Sequence, residues 1–375
     1  MKAIVILFIL IISIQAINVL HLTDIHYDKA YSVGSPNNCY EQSLIGLRCC
    51  RNYSIPKEPW APARKMGELL CDTPYTLINE TLYYISSNFD IDMILWTGDS
   101  SDHHFFHQSP TNVLQEISDM TELIYFYFPK SKVIPSLGNH DTFFLDQNNP
   151  FLLPEIYSFW KRWVPEEFLL NDGSYTVTHF NITFVVINSL VIDENNIFNT
   201  SIYVDSLYSF LGNHSNPKVW VTGHIPPGSN EAGYNFTDFF SSLSYNTSFW
   251  GHTHYELIRL NRKGMVAYVC PSVLPDQHYP EFRIYQIDPE TPRVVNYQDY
   301  MRSGLDDDDT YGFLYDAVID YDLQDLEYAS WINFSENIQK NQTLLDRYYS
   351  NTGPPFLNDT CNSGCLKGLL EDIFF

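Results

Sequence analysis

Five apolar stretches of strand length each end in a small or hydroxyl residue and then a metal-binding side chain, and that recurrence constrains the fold more than any other feature. Residues 17–22 lead into Thr23-Asp24-Ile25-His26, and residues 91–96 into Thr97-Gly98-Asp99. Residues 132–137 precede Gly138-Asn139-His140-Asp141, residues 218–221 precede Thr222-Gly223-His224, and residues 248–250 precede Gly251-His252-Thr253-His254. Short buried strands separated by helix-length segments, among them 75–87 and 111–127, predict an α/β fold with a parallel component. Such sheets gather ligands outside the carboxyl ends of their strands, so the five loops are expected in one crevice. Strands expected at 183–188, 265–270 and 282–287 carry no ligand and would complete a second sheet.

From residue 301 the pattern changes to longer amphipathic stretches, 323–338 and 343–349, followed by Gly353-Pro354-Pro355. The expected organisation is a main domain over 17–300 and a C-terminal helical subdomain over 301–375. Cys361 and Cys365 lie four apart, close enough for a local disulfide that ties off the last turn. The first residues, Met1-Lys2 and an apolar run ending near Ala16, are too short to span a bilayer and read as a signal peptide over 1–16. No later stretch reaches the roughly 18 apolar residues of a spanning helix. Sequons at Asn52, Asn79, Asn181, Asn199, Asn213, Asn235, Asn246, Asn333, Asn341 and Asn358 fit a secretory route, as glycosylation candidates on surface loops. In an oxidising compartment Cys39, Cys49, Cys50 and Cys71 would staple a loop-rich insertion over 39–71, whereas Cys270 sits in an apolar run as a small buried hydrophobe.

The net charge of −24 argues against nucleic acid as a scaffold partner and against more than transient contact with anionic membranes. The acidic run over 306–309 reads as a solvated loop. There is no Gly-X-Ser-X-Gly elbow, no Gly-X-X-X-X-Gly-Lys phosphate loop and no dinucleotide fingerprint. What remains is hydrolysis by water activated on metal.

Each fragment alone is common, and a single histidine at a strand end is more often hydrogen-bonded structure than a ligand. Together, Asp24, His26, Asp99, Asn139, His224, His252 and His254 form a carboxylate, imidazole and amide-oxygen set that suits Zn²⁺, Mn²⁺ or Fe. The ligand count implies two ions, with Asp99 as the bridge, because one carboxylate offers two oxygens between cations about 3.5–4 Å apart. A bridging hydroxide would attack phosphorus in line. His140 is the first candidate for the general acid, with Asp141 orienting it, and His103 shares that role or stabilises the charged transition state. His21, His104, His107, His214 and His278 are assigned to structure or solvent.

At these residues the chain resembles the metallophosphoesterase superfamily, and within it the acid sphingomyelinase and acid sphingomyelinase-like phosphodiesterases. Leu20-His21-Leu22-Thr23-Asp24-Ile25-His26-Tyr27-Asp28, then Cys39, Leu47-Arg48-Cys49-Cys50-Arg51 and Cys71, is similar to that family's opening segment. Trp96-Thr97-Gly98-Asp99 with His103 and His107-Gln108, Gly138-Asn139-His140, Tyr321-Asp322-Leu323 and the Cys361/Cys365 pair extend the resemblance over nearly all of 17–375. It implies a four-layer α-β-β-α sandwich, a pair of zinc ions, a phosphodiester substrate and a lysosomal or extracellular setting. It also implies pairing of Cys39 with Cys49 and Cys50 with Cys71. The implied division of ligands is Asp24, His26 and His254 for one ion and Asn139, His224 and His252 for the other.

Sphingomyelinases proper carry an N-terminal saposin-type module, and here the first strand follows the signal peptide directly. The resemblance is therefore to the sphingomyelinase-like branch, which cleaves soluble nucleotide-type diesters, with a sphingomyelin phosphodiesterase releasing phosphocholine and ceramide as the alternative. A secreted binding glycoprotein without chemistry is the second alternative. Its mark would be a lost ligand, and none of the seven is lost.

Overall fold

The runs that precede the metal-capable loops are strands, and they are buried almost throughout, as parallel strands covered on both faces must be. The computed structural model describes residues 16–45, 48–69, 71–104, 108–193, 201–276, 278–288, 290–352 and 360–375. Residues 1–15 of the expected signal peptide, His107, Asn199 and Asn358 lie outside the described residues. In chain order the elements are β1 (Ile17–Leu22), α1 (Tyr40–Ile45), α2 (Tyr75–Asn88), β2 (Met93–Trp96), α3 (Pro110–Tyr127), β3 (Lys132–Pro135), α4 (Leu153–Trp160) and α5 (Glu167–Leu170). There follow β4 (Tyr175–His179), β5 (Ile182–Val186), a 3-10 turn (Ser189–Ile192), α6 (Ser201–His214), β6 (Val219–Thr222), α7 (Gly233–Ser242), β7 (Thr247–Trp250), β8 (Leu257–Leu260) and β9 (Val266–Val269). The chain closes with β10 (Glu281–Asp288), β11 (Arg293–Arg302), β12 (Tyr311–Asp316), α8 (Ala317–Asp320), α9 (Tyr328–Ile338), α10 (Gln342–Thr352) and α11 (Ser363–Ile373).

These strands make two six-stranded sheets, ordered β12-β11-β10-β1-β2-β3 and β4-β5-β6-β7-β9-β8. In the first, β1, β2 and β3 are parallel, with Leu22 opposite Trp96 and Trp96 opposite Pro135. In the second, β5, β6, β7 and β9 are parallel. Parallel neighbours need long crossovers, and α2 and α3 supply them between β1 and β3. Ser109 starts α3 by accepting a bond from the Asn112 amide at 3.2 Å, with Pro110 in the first turn.

Period-two alternation sorts the second sheet into two faces. Phe184, Trp220, Phe249 and Tyr268 point towards the first sheet, where Phe249 meets Tyr285 of β10 with ring centroids 5.1 Å apart. Val185, Val221, Ala267 and Val269 point the other way, onto Leu207, Phe210 and Leu211 of α6 and Phe236 and Phe240 of α7. Ile78, Leu82 and Ile85 of α2 and Val113, Ile117 and Met120 of α3 belong to the first sheet's core. The result is the four-layer α-β-β-α sandwich. Each fully buried aromatic contributes on the order of 2–3 kcal/mol, so the inter-sheet layer fixes the two sheets against each other.

The first sheet continues past residue 300 into β12, where the sequence pattern suggested only helices. It is a short edge strand, Tyr-Gly-Phe-Leu-Tyr-Asp, in which Gly312 interrupts the apolar residues and Gly312 and Phe313 are exposed, so neither length nor alternation marks it in the sequence. Tyr321, which follows α8, packs on Tyr315 of β12, and Trp331, Phe334 and Tyr348 of α9 and α10 pack around Tyr321. The described cysteines pair as Cys39–Cys49, Cys50–Cys71 and Cys361–Cys365, and Cys270 is free and buried. Asn52, Asn181, Asn213, Asn235, Asn246, Asn333 and Asn341 are exposed; Asn79 is half-buried and accepts from the Tyr127 hydroxyl. Among the described residues no helix is long and apolar enough to cross a membrane.

Arg283, Asp299 and Glu256 are all buried in one polar cluster of the core. Arg283 Nε and Nη2 each meet Asp299 at 2.6 Å, Nη2 lies 3.2 Å from Glu256, and the Tyr297 and Tyr315 hydroxyls donate to Glu256. Burial, against the pull of Arg283, pushes the Glu256 carboxyl up to about 7. A raised carboxyl stabilises the fold fully below its unfolded value near 4.5, and that contribution disappears as pH rises through about 7. Replacing Glu256 by Gln is expected to flatten the fall in stability between these values, measured as urea midpoints at pH 4.5 and 7.5.

Candidate metal centre

All five loops open from one edge of the two sheets. Asp24 and His26 follow β1, Asp99 and His103 follow β2, Asn139 and His140 follow β3, His224 follows β6, and His252 and His254 follow β7. Backbone bonds cross-link the loops: Asp24 N to Gly98 O at 3.1 Å, His26 N to Asp99 O at 2.9 Å, and Gly251 N to His224 O at 3.0 Å. Asp24, His26, Asp99, His252 and His254 all have positive φ, between 46° and 74°. Side chains rarely adopt that region, and such strain persists only where surrounding structure enforces it, most often at functional sites. Gly138 is needed for close approach, because a Cβ there would fall on the Asp99 carboxylate and backbone.

The rear nitrogen of three rings is committed, which fixes what the front nitrogen can do. His26 Nδ1 donates to the Ser101 carbonyl at 2.9 Å, His224 Nδ1 to the Thr97 carbonyl at 2.6 Å, and His254 Nδ1 to Asp276 Oδ2 at 3.1 Å. A neutral ring held in this way presents a bare lone pair at Nε2. Those lone pairs converge: His26 Nε2 lies 3.2 Å from His254 Nε2, and His224 Nε2 lies 2.9 Å from Asn139 Oδ1. Asn139 is oriented by its Nδ2, which donates to Asp146 at 2.9 Å, and its Oδ1 also meets His252 Nδ1 at 3.0 Å.

Asp99 Oδ2 stands between the two groups, 3.3 Å from His26 Nε2 and 3.1 Å from His224 Nε2, while its Oδ1 accepts from the His140 amide at 2.8 Å. Asp24 Oδ1 is 3.6 Å from His254 Nε2, and the carboxylate also accepts from Thr23 and the His252 amide. Acceptors brought this close without intervening protons repel one another unless a cation lies among them. Among the described residues, Asp24, His26, Asp99 and His254 form one group of converging ligand atoms, and Asp99, His224 and His252 a second, with Asp99 common to both. Nitrogen and oxygen donors in this mixture fit divalent transition-type ions.

The charges follow the crowding. Burial alone would raise the Asp99 carboxyl, but His224, His140 and His26 hold it well below the usual carboxylate range. Burial likewise opposes protonation of His224, yet Asp99 and Asp24 raise it to about 9, so this ring is the first to bind a proton when the cage holds none of its cations. Burial pushes His140 down to about 3.

All seven residues expected from the sequence as ligands are thus in one cage, with His103 and His140 at its edge. His103 stacks on His26 with centroids 3.8 Å apart and lies 4.4 Å from His140. The expected role of Asp141 is corrected: its carboxylate accepts from the Ser100 and Gly138 amides at 2.8 and 2.9 Å and so pins two loops, while His140 Nδ1 meets the Asp102 carbonyl at 3.2 Å. His21, His214 and His278 are structural, bonded to Thr97, Phe210 and the His254 carbonyl in turn. Sequence reasoning missed Asp72, 2.6 Å from His103 Nδ1, Asp276 behind His254, and Glu231, 3.7 Å from His252 Nε2. Only Asp72, next to the stapled Cys71, carried a usable signal.

Two mixed sheets and a cage of convergent acceptors at their common edge define a class of α/β proteins built to hold a pair of metal ions. Residues 17–256 match the Metallophos model, calcineurin-like phosphoesterase, and the chain belongs to that family. It is 27% identical to sphingomyelin phosphodiesterase A of Dictyostelium discoideum, over 95% of this chain and 66% of that one. Against sphingomyelin phosphodiesterase 2 of Caenorhabditis elegans the figures are 26%, 88% and 63%. Against the cyclic GMP-AMP phosphodiesterase SMPDL3A of Homo sapiens they are 27%, 88% and 81%. The chain therefore spans just under two thirds of the length of the first two relatives.

Gly138→Ala is expected to force the Asp99 carboxylate from its place and break the bond from His140 N, at a cost of about 1–3 kcal/mol. The urea midpoint of the purified variant measures the cost, and its content of divalent metal, by metal analysis, should fall in parallel.

Proposed function

We propose that this protein is a secreted or lysosomal zinc-dependent phosphodiesterase. The observation that carries the reading is the convergence of imidazole nitrogens around Asp99 Oδ2, with Asp24 and Asn139 oxygens beside them, a donor set that suits divalent cations. Asp24, His26 and His254 would hold one ion, Asn139, His224 and His252 the other, and Asp99 both. A metal pair bound there would lower the pKa of water and polarise the phosphoryl oxygens. Disulfides in the stapled loop and at the C-terminus favour an oxidising compartment, and the exposed sequons fit the same route.

The protein's own groups divide the remaining work. His103 is the better placed proton donor to a leaving alkoxide, because the Asp72 carboxylate 2.6 Å from its Nδ1 fixes the ring at the edge of the cage, stacked on His26. His140 meets only a carbonyl at Nδ1 and is held low by burial, which suits a neutral ring that orients the substrate oxygen. The relatives named for sphingomyelin and for cyclic GMP-AMP share one bond type, the phosphodiester. A nucleotide-type diester or phosphoanhydride and sphingomyelin are the two substrates proposed. A non-catalytic binding role would not need to keep five ligands in strained backbone.

The test is turnover of bis(p-nitrophenyl) phosphate, ATP, a cyclic dinucleotide and sphingomyelin in detergent micelles at acidic pH, with zinc or with chelator. Chelator should abolish activity, and Asp99→Asn should lower kcat more than about 100-fold while losing bound metal, since even outer partners of a metal site cost 10–100-fold. Zinc-loaded protein inert on all four would overturn the reading.

A further inference from the structure

The segment stapled by Cys39–Cys49 and Cys50–Cys71 brings one guanidinium to the mouth of the cage. Arg48 Nη1 donates to Asp276 Oδ1 at 3.1 Å, and Arg48 Nε lies 3.9 Å from Asp72 Oδ1. Those two carboxylates hold the rear nitrogens of His254 and His103. The two rings come from loops after different sheets, β7 and β2, with centroids 5.8 Å apart. An unbroken chain of polar contacts therefore runs His103, Asp72, Arg48, Asp276, His254, with Arg48 at its centre. The side chains of Arg48 and Asp276 are each 13% exposed, so the pair is shielded enough to be worth more than a surface ion pair. The planar fork of arginine spans two carboxylates, which a single ammonium does not match.

Arg48 is itself anchored from behind. Arg51 Nη1 donates to the Arg48 carbonyl at 2.8 Å, and Arg51 Nη2 to Asp72 Oδ2 at the same distance. The disulfide from Cys50 to Cys71 ties this stretch of backbone to the residue preceding Asp72.

We propose that Arg48 is a positioning residue for the phosphodiesterase reaction, joining the carboxylates behind His103 and His254 so that the proton donor and one metal ligand keep a fixed separation. The inference rests on the phosphodiesterase reading given above. Its reach is wider than either histidine alone: loss of Arg48 frees Asp276 to leave His254 and leaves Asp72 with Arg51 as its nearest remaining cation.

The experiment compares Arg48→Met, Arg48→Lys, Asp276→Asn and the double variant Arg48→Met/Asp276→Asn with the parent protein, all zinc-loaded, on bis(p-nitrophenyl) phosphate. Zinc affinity is read by equilibrium dialysis and folding by thermal melting. Arg48→Met is expected to lower kcat about tenfold or more and to weaken binding of one zinc equivalent, with KM within about twofold and melting unchanged. Arg48→Lys should recover part of kcat. The double variant should be no worse than the poorer single variant, because both substitutions break the same chain of contacts. Parental kcat and zinc affinity in Arg48→Met, or costs that multiply in the double variant, would overturn the proposal. Should Arg48→Met fail to fold, Arg48→Lys decides: kcat and zinc affinity equal to the parent's would sink it. If the parent hydrolyses no diester while Arg48→Met still loses zinc affinity, the phosphodiesterase reading fails and the positioning of His254 stands.

Discussion

The mutual repulsion of acceptors around Asp99 is the constraint on which the rest of the structure depends. Left to themselves, a carboxylate oxygen and two imidazole nitrogens within 3.3 Å would drift apart or take up protons. They stay because each is held from the rear by a group with no freedom to move. Ser101 and Thr97 contribute backbone carbonyls, Asp276 a carboxylate, and the His140 amide fixes the other oxygen of Asp99. Positive φ at five ligand positions shows the same compulsion in the backbone. In the absence of cations this arrangement is frustrated, and binding energy for two ions is stored in geometry that folding has already imposed.

Such rigidity requires sheets that do not slide. Asp24 and Asp99 descend from the first sheet, His224, His252 and His254 from the second, so the cage spans the inter-sheet layer. Phe249 locks the registers together, contacting Trp220 and Tyr268 on its own sheet and Tyr285 on the other, with centroids 5.1 to 5.6 Å apart. Close-packed layers have low compressibility, so such a contact resists sliding of one sheet over the other. The sequence expresses this in the two residues that end β7, where Phe249 faces inward and Trp250 faces the helices, one step before the ligand loop begins.

Legibility in the sequence followed the same division. Residues placed at strand ends could be read, because strand periodicity gives both the strand and the point where it stops, and all seven named in this way come together in one cage. Partners that hold those residues could not. Asp72, Asp276, Glu231 and Asp146 lie in irregular loops whose course depends on contacts with residues up to 228 positions distant, as with Arg48 and Asp276. No local pattern encodes such a contact. The β12 segment, Tyr-Gly-Phe-Leu-Tyr-Asp, is short, interrupted by Gly312 and set at a sheet edge with Gly312 and Phe313 exposed, so no period-two alternation marks it. Asp141 was assigned to His140 by adjacency alone, whereas the chain turns so that its carboxylate points at backbone amides.

The stapled insertion shows how such loops are stabilised without regular structure. Arg51 is fully buried and faces Asp28, Asp72 and Asp102 at 2.9, 2.8 and 3.3 Å, one positive charge among three carboxylates. Breaking such a cluster by removing one partner is costly, yet the cluster itself contributes little net stability after desolvation. Its value is in fixing geometry, with the disulfides supplying the entropic stabilisation that packing cannot. Burial outweighs Arg51 at Asp28 and pushes that carboxyl up to about 8, so one of the three retains its proton near neutrality. Its contribution is complete in acid and is lost as pH rises through that value. A cluster poised in this way keeps that contribution in acid until the remaining carboxylates titrate.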